Sequence, residues 1–230
     1  MFMILLLIGA VLPLYGCSGL SKQRSAEEWL SLSYSGLAAT DQYSFSGSMS
    51  IKTAGGLEFN PQIFSGKVVD HKQLTVQSGS EDPLHWNPVQ VLGALKNGSR
   101  KVSILREDSS ADTITLLIEE TEASSKKSWE QRLRAQLDQV GANVPQGGGA
   151  YRNEWVKELE RSRLQLDAML NTLQAKTAYE LTIDRKRLLP LRMDEKSSLT
   201  YLQNGRGASE SRYTTVRFQS FNGASSDTVQ

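Results

Sequence analysis

Apolar and polar residues along this chain follow two periods, two and about 3.6, and the switches between them lay out its elements. In YSFSGSMSI, residues 43–51, Tyr43, Phe45, Gly47, Met49 and Ile51 alternate with serines. Such alternation predicts a strand with one buried and one wet face. Upstream, Ser25-Ala26-Glu27-Glu28 fits a capping box, with Ser25 as N-cap and Glu28 reaching back. Leu30, Tyr34 and Leu37 then recur at helical spacing beside Trp29, which predicts a helix ending near Ala39.

Beyond the Ala54-Gly55-Gly56 turn, Ile63 to Val69 and Leu74 to Gln77 read as strands. Asn87-Pro88 opens a short helix, Asn87 as N-cap and Pro88 in the first helical position. Val91, Leu92 and Leu95 give it an apolar side, and Asn97-Gly98 ends it. Val102 to Arg106 and Thr113 to Glu119 form a hairpin in this reading. Residues 126–140 and 151–174 then turn helical in period. One carries Trp129, Leu133, Leu137 and Val140 as a stripe, the other Trp155, Leu159, Leu166, Leu170 and Leu173. Both stripes are expected to pack against the sheet or each other, and the Gly-rich connection at 141–150 to be mobile.

Strands return at Tyr179 to Ile183, Leu188 to Tyr201 and Arg212 to Phe221, with Asn204-Gly205 as a hairpin signal. This order predicts an α+β fold, one antiparallel sheet with helices on one face. Residues 26–221 read as a single domain with a helical insertion at about 126–174, and 222–230 as a disordered tail.

The first sixteen residues, MFMILLLIGAVLPLYG, carry no charge. The run from Phe2 to Leu14 is shorter than the ~20 residues of a membrane span and suits the apolar region of a signal peptide. Cys17, the only cysteine, follows directly, which excludes an internal disulfide framework and a cysteine-based zinc site. Leu14-Tyr15-Gly16-Cys17 resembles the bacterial lipobox, with Leu14 and Gly16 matching and Tyr15 departing from the usual small residue. The resemblance implies that residues 1–16 are removed, that the Cys17 thiolate takes a diacylglyceryl group, and that 17–25 form a tether. Two acyl chains, at ~0.8 kcal/mol per buried methylene, would hold a domain stably on the extracytoplasmic face of a cell membrane.

Composition narrows the function further. Hydrophobic residues make up 39% of the chain, enough for a packed core, and 26 basic residues balance 25 acidic ones. A formal charge of +1 gives no electrostatic footprint for nucleic acid. The only histidines, His71 and His85, lack metal-ligand spacing or an orienting partner. Gly147-Gly148-Gly149 lacks the Lys-Ser/Thr of a phosphate loop. Glu119, Glu120 and Glu122 read as a solvated strand end, and Arg185-Lys186-Arg187 as a solvated hairpin tip. No catalytic constellation, metal site or cofactor motif emerges, so the chain reads as non-enzymatic.

Several features together are similar to the LolA/LolB-like superfamily, which includes LppX-type lipoproteins. They are a helix leading into Tyr43-Ser-Phe45-Ser-Gly47, then Phe64-Ser65-Gly66, the Pro-containing helix through Leu92 to Leu95, and Tyr179-Glu-Leu181-Thr-Ile183-Asp184 running into Leu189-Pro190. The resemblance implies a curved antiparallel sheet, a half-barrel, with helices on its concave face over an apolar cavity. Tyr43, Phe45, Met49, Ile51, Trp155 and Leu159 are the candidate cavity wall. Residues 120–176 carry more helix than the family pattern. Two readings stay open. One is an anchored carrier of a lipid-like ligand. The other is an interaction or chaperone lipoprotein of the envelope, or of sporulation and germination, with its cavity plugged by its own helices and a protein as partner.

Overall fold

The computed structural model describes residues 24–71, 73–78, 87–143 and 149–223. Cys17, the leader at 1–16, most of the tether at 17–25, His85, residues 144–148 of the Gly-rich connection and the tail from 224 lie outside the described residues.

The chain opens with α1 (Ala26–Ala38), started by the expected capping box: Ser25 Oγ accepts from the Glu28 amide and Glu28 Oε2 from the Ser25 amide. β1 (Tyr43–Thr53), β2 (Glu58–Val69) and β3 (Gln73–Ser78) follow. β2 begins five residues earlier than its apolar pattern suggests. Pro61 interrupts that pattern, but the β1–β2 register shifts between Met49 and Ile51, where Pro61 lacks a facing partner. A bulge is where a strand tolerates a residue with no N–H.

α2 (Pro88–Asn97) is capped by Asn87, whose Oδ1 accepts from the amides of Val89 and Gln90. β4 (Arg100–Leu105) and β5 (Thr113–Glu120) form the next hairpin. α3 (Glu122–Ala142) starts four residues before the predicted segment, because Thr121 caps it through the Ser124 amide. α4 (Ala150–Thr172) leads into β6 (Gln174–Asp184), β7 (Pro190–Gln203) and β8 (Arg206–Gln219).

The strands form one sheet in the order β3-β2-β1-β8-β7-β6-β5-β4, each antiparallel to its neighbours. It is curved and unclosed, with β3 and β4 at the free edges, a half-barrel of α+β class. The β1–β8 pairing joins the first described strand to the last.

The four described helices sit over the same, concave face. α1 and α2 lay Trp29, Leu30, Leu37, Leu92 and Leu95 against Tyr43, Phe45, Leu181 and Phe218. α3 and α4 build a second cluster, where Trp129, Leu170 and Leu173 meet Ala175 and Leu199. Ala175, Tyr179 and Leu181 lie at odd positions of one strand, so both clusters share a face.

The packing of the α3–α4 hairpin is graded along its length. Trp129 and Leu170 are buried near the sheet, whereas Val140, Tyr151 and Val156 are exposed toward the hairpin's tip. The stripes therefore do as expected near the sheet, and farther out Trp155 and Leu159 are only half-buried.

Candidate functional site

Strand registers lay the covered face out in rows. One row runs Phe59–Ile51–Arg212–Ser197–Thr177 across β2, β1, β8, β7 and β6. The next runs Gln62–Met49–Thr214–Glu195–Tyr179–Ile118. On β6 to β8 these rows are polar; on β1 and β2 they are mainly apolar.

The polar section is buried between the two apolar clusters and stitched to α3. Trp129 Nε1 donates to Thr177 Oγ1 at 3.1 Å, and Ser125 Oγ accepts from the Thr177 amide at 3.1 Å. Thr177 Oγ1 lies 3.0 Å from Ser197 Oγ. Arg132 Nη1 donates to Glu195 Oε1 at 2.6 Å, and its Nη2 to the Tyr179 hydroxyl at 3.2 Å. Burial works against the Arg132 charge, but Glu195 and Tyr179 outweigh it and hold the guanidinium pKa above its ordinary value. Burial, reinforced by Glu195, pushes the Tyr179 phenol up.

Glu120 belongs to this layer rather than to the solvated strand end expected from its neighbours. Glu119 and Glu122 are exposed, whereas Glu120 is half-buried and accepts from Ser125 Oγ at 3.1 Å. Burial raises its pKa, against the pull of Ser125 and Arg132, and Glu195 adds to the rise. The inward turn follows from strand alternation: Ile114, Leu116, Ile118 and Glu120 share parity, and the first three are buried.

A second guanidinium meets the band from β8. Arg212 lies 4.7 Å from the Trp129 ring centroid, and Arg132 5.0 Å from it. Arg212 is held by Glu210 through Nη2 at 2.7 Å and Nε at 2.9 Å.

The sequence-derived cavity wall separates into three places. Tyr43 and Phe45 are fully buried in an aromatic cluster with Phe64, Phe218 and Phe221. There Phe45 lies across Gly66 and Phe64 across Gly47, and a Cβ on either glycine would collide with the ring. Met49 and Ile51 lie farther along β1 and are half-buried. Phe59, opposite Ile51, is 56% exposed. Trp155 and Leu159 lie on the outer part of the α3–α4 hairpin, where Leu159 packs near Gly141. The structure thus brings Met49, Ile51 and the unforeseen Phe59 together as an apolar strip, and leaves the other four elsewhere.

The basic hairpin tip is internally compensated. Lys186 reaches Asp112 at 2.9 Å, Arg187 reaches Asp184 at 2.7 Å, and Arg185 lies over Trp29, 5.6 Å from its ring centroid. His71 pairs with Asp41 at a turn. Among the described residues no group of three or more His, Cys, Asp or Glu could hold a metal ion, and no helix is long and apolar enough to cross a membrane.

No family model matches the chain, and no curated protein does. Among solved structures it is similar to a LolA superfamily protein from Nitrosomonas europaea. The identity is 8%, the match covers 86% of this chain and 92% of that one, and the TM-score is 0.24. The fold rests on the strand order and registers given above.

Proposed function

We propose that this chain is a lipoprotein, anchored through Cys17 on the extracytoplasmic face of a membrane, that binds or carries a lipid-like ligand on the concave face of its half-barrel. The observation behind the reading is the strip of Met49, Ile51 and Phe59. It continues the rows that α3 covers on β6 and β7, yet Phe59 stays largely exposed. An apolar strip on the inner face of a curved sheet suits an acyl chain, since burial returns ~25 cal/mol per Å2 of apolar surface. The apolar leader and the Leu14-Tyr15-Gly16-Cys17 motif support the anchor.

A second reading, an interaction lipoprotein of the envelope, draws on the hairpin instead. Tyr151 and Leu164 are each about two-thirds exposed, at 67% and 68%, and offer apolar surface to a protein partner. Native mass spectrometry of the chain purified from its own host separates the two. A retained lipid mass supports the carrier. A co-purifying protein with no lipid overturns it in favour of the interaction reading.

A further inference from the structure

We infer that the ligand of the concave face is an uncharged acyl lipid, with a hydroxyl or ester head and no ionised group. This deepens the carrier reading and rests on it.

Charge complementarity selects the head group. A chain lying on Met49, Ile51 and Phe59 meets the polar band along its own rows, at Arg212 beside Ile51 and Thr214 beside Met49. The first cation it reaches is therefore Arg212, and the next is Arg132, which lies over the same Trp129 ring.

Both cations are already matched. Glu210 takes two donors of Arg212, with side-chain exposures of 14% and 15% for the pair. Glu195, 5% exposed, takes Arg132, whose other terminal nitrogen is occupied by the Tyr179 hydroxyl. The remaining acid of the band, Glu120, faces Ser125 and adds negative charge when ionised.

An anionic head would enter a layer where each arginine has its own carboxylate and a third carboxyl stands nearby. It would be desolvated without a counter-charge, the costliest arrangement for a buried ion. A cationic head on the strip would meet Glu210 and Glu195 first, because Glu120 stands on β5, four strands from Ile51 and bonded to Ser125. It would have to draw one of those two from its arginine and strand that guanidinium. An uncharged head asks for hydrogen bonds only, which the Thr214 hydroxyl beside Met49 can exchange without separating any ion pair of the band.

The test uses the full chain in phosphatidylcholine nanodiscs at neutral pH, with three palmityl-length diazirine probes that differ only in their head: hydroxyl, carboxylate or trimethylammonium. After photolysis, labelling of peptides carrying Met49, Ile51 and Phe59 is read by mass spectrometry relative to labelling of the rest of the chain. The hydroxyl probe is expected to label the strip, and the two charged probes on the order of tenfold less.

Glu210→Gln removes the counter-charge of Arg212 and is expected to raise carboxylate labelling of the strip specifically. A wild-type preference for either charged probe overturns the inference while keeping a lipid site. Absence of strip labelling by all three probes overturns the carrier reading itself. If Glu210→Gln does not fold, the ranking of the three probes on the wild-type chain decides the matter.

Discussion

Arg132 on α3 reaches Glu195 on β7 across 63 residues of sequence and closes on it at 2.6 Å, while its other terminal nitrogen donates to the Tyr179 hydroxyl. Glu195 is buried, while Arg132 keeps about a third of its side chain in water. The pair ties the helical hairpin to the sheet, and its partners are unequal when removed. Arg132→Met strands a carboxylate that no other cation among the described residues meets, and is expected to cost about 2–3 kcal/mol. Replacing both residues by Met removes the charge and its counter-charge together, and should recover most of that loss. Urea midpoints of the two single variants and the double variant measure this. Losses that simply add would show that the two side chains are not coupled.

The reciprocal fit of Phe45 on Gly66 and Phe64 on Gly47 makes a second expectation. A methyl at Gly66 has no room beside the Phe45 ring, so Gly66→Ala should cost about 1–3 kcal/mol through overpacking. Phe45→Ala should cost about 3–5 kcal/mol, because the ring is 2% exposed and its cavity is hemmed by Tyr43 and Phe64. Ser46→Ala, on the opposite face, should change little. Equal thermal midpoints for Phe45→Ala and Ser46→Ala would show that the strand faces are assigned the wrong way round.

These two cases also show what the sequence could and could not convey. The alternation at 43–51, the capping box at Ser25 and the Asn87-Pro88 helix start are local signals, set by neighbours a few residues apart, and they stand in the structure as read. Arg132, Glu195 and Tyr179 carry no such signal. Their partnership depends on which strands become neighbours and where α3 lands, both decided by tertiary packing. The fate of Met49 and Ile51 has the same origin. Alternation placed them on the inner face, but their burial depends on whether a helix lies above them. Trp155 and Leu159 belong to a helical stripe like that of Trp129, yet only the end of the hairpin nearest the sheet is buried. Periodicity gives the face of a helix, not how far along its length a neighbour extends.

Tyr43 brings a buried hydroxyl into the aromatic cluster with no hydrogen-bond partner among the described residues, and burial pushes its phenol pKa up. A buried donor left unmade is a liability of about 1–3 kcal/mol, which the ring's packing offsets. Tyr43→Phe keeps the ring and deletes the hydroxyl, so the variant is expected to be as stable as the wild type or more so. A loss above about 1 kcal/mol in denaturant titration would mean that the hydroxyl is hydrogen-bonded in solution.

Processing at Cys17 can be followed in cells. If the thiolate takes the lipid, labelled palmitate should enter the wild-type chain and not Cys17→Ala, and the variant should keep residues 1–16. A Cys17→Ala chain that is cleaved and held in the membrane fraction like the wild type would rule the anchor out.

Glu120 and Asp184 should give this protein two pH dependences of opposite sign. Burial raises the Glu120 pKa above its ordinary 4.5, so the folded chain holds a proton there that the unfolded chain has already released. Its contribution to stability is therefore fully present below 4.5 and lost as pH rises through the folded value. Asp184 behaves conversely. Burial works to raise its pKa but is outweighed by the Arg187 amide and side chain and by the Lys186 amide, so it lies below 3.8. Its contribution is present above 3.8 and lost as pH falls through the folded value. Glu120→Gln imitates the protonated acid at every pH. Relative to the wild type, the variant should gain stability on going from acid to neutral pH, because only the wild type must ionise a half-buried carboxyl. Asp184→Asn should lose stability over the same interval, because it forgoes the charge that Arg187 stabilises. Denaturation midpoints of the three chains, taken below pH 3.8 and again at neutral pH, test both signs together. A Glu120→Gln curve that stays parallel to the wild type would show that Glu120 is as solvated in the folded chain as in the unfolded one, and would remove it from the buried band.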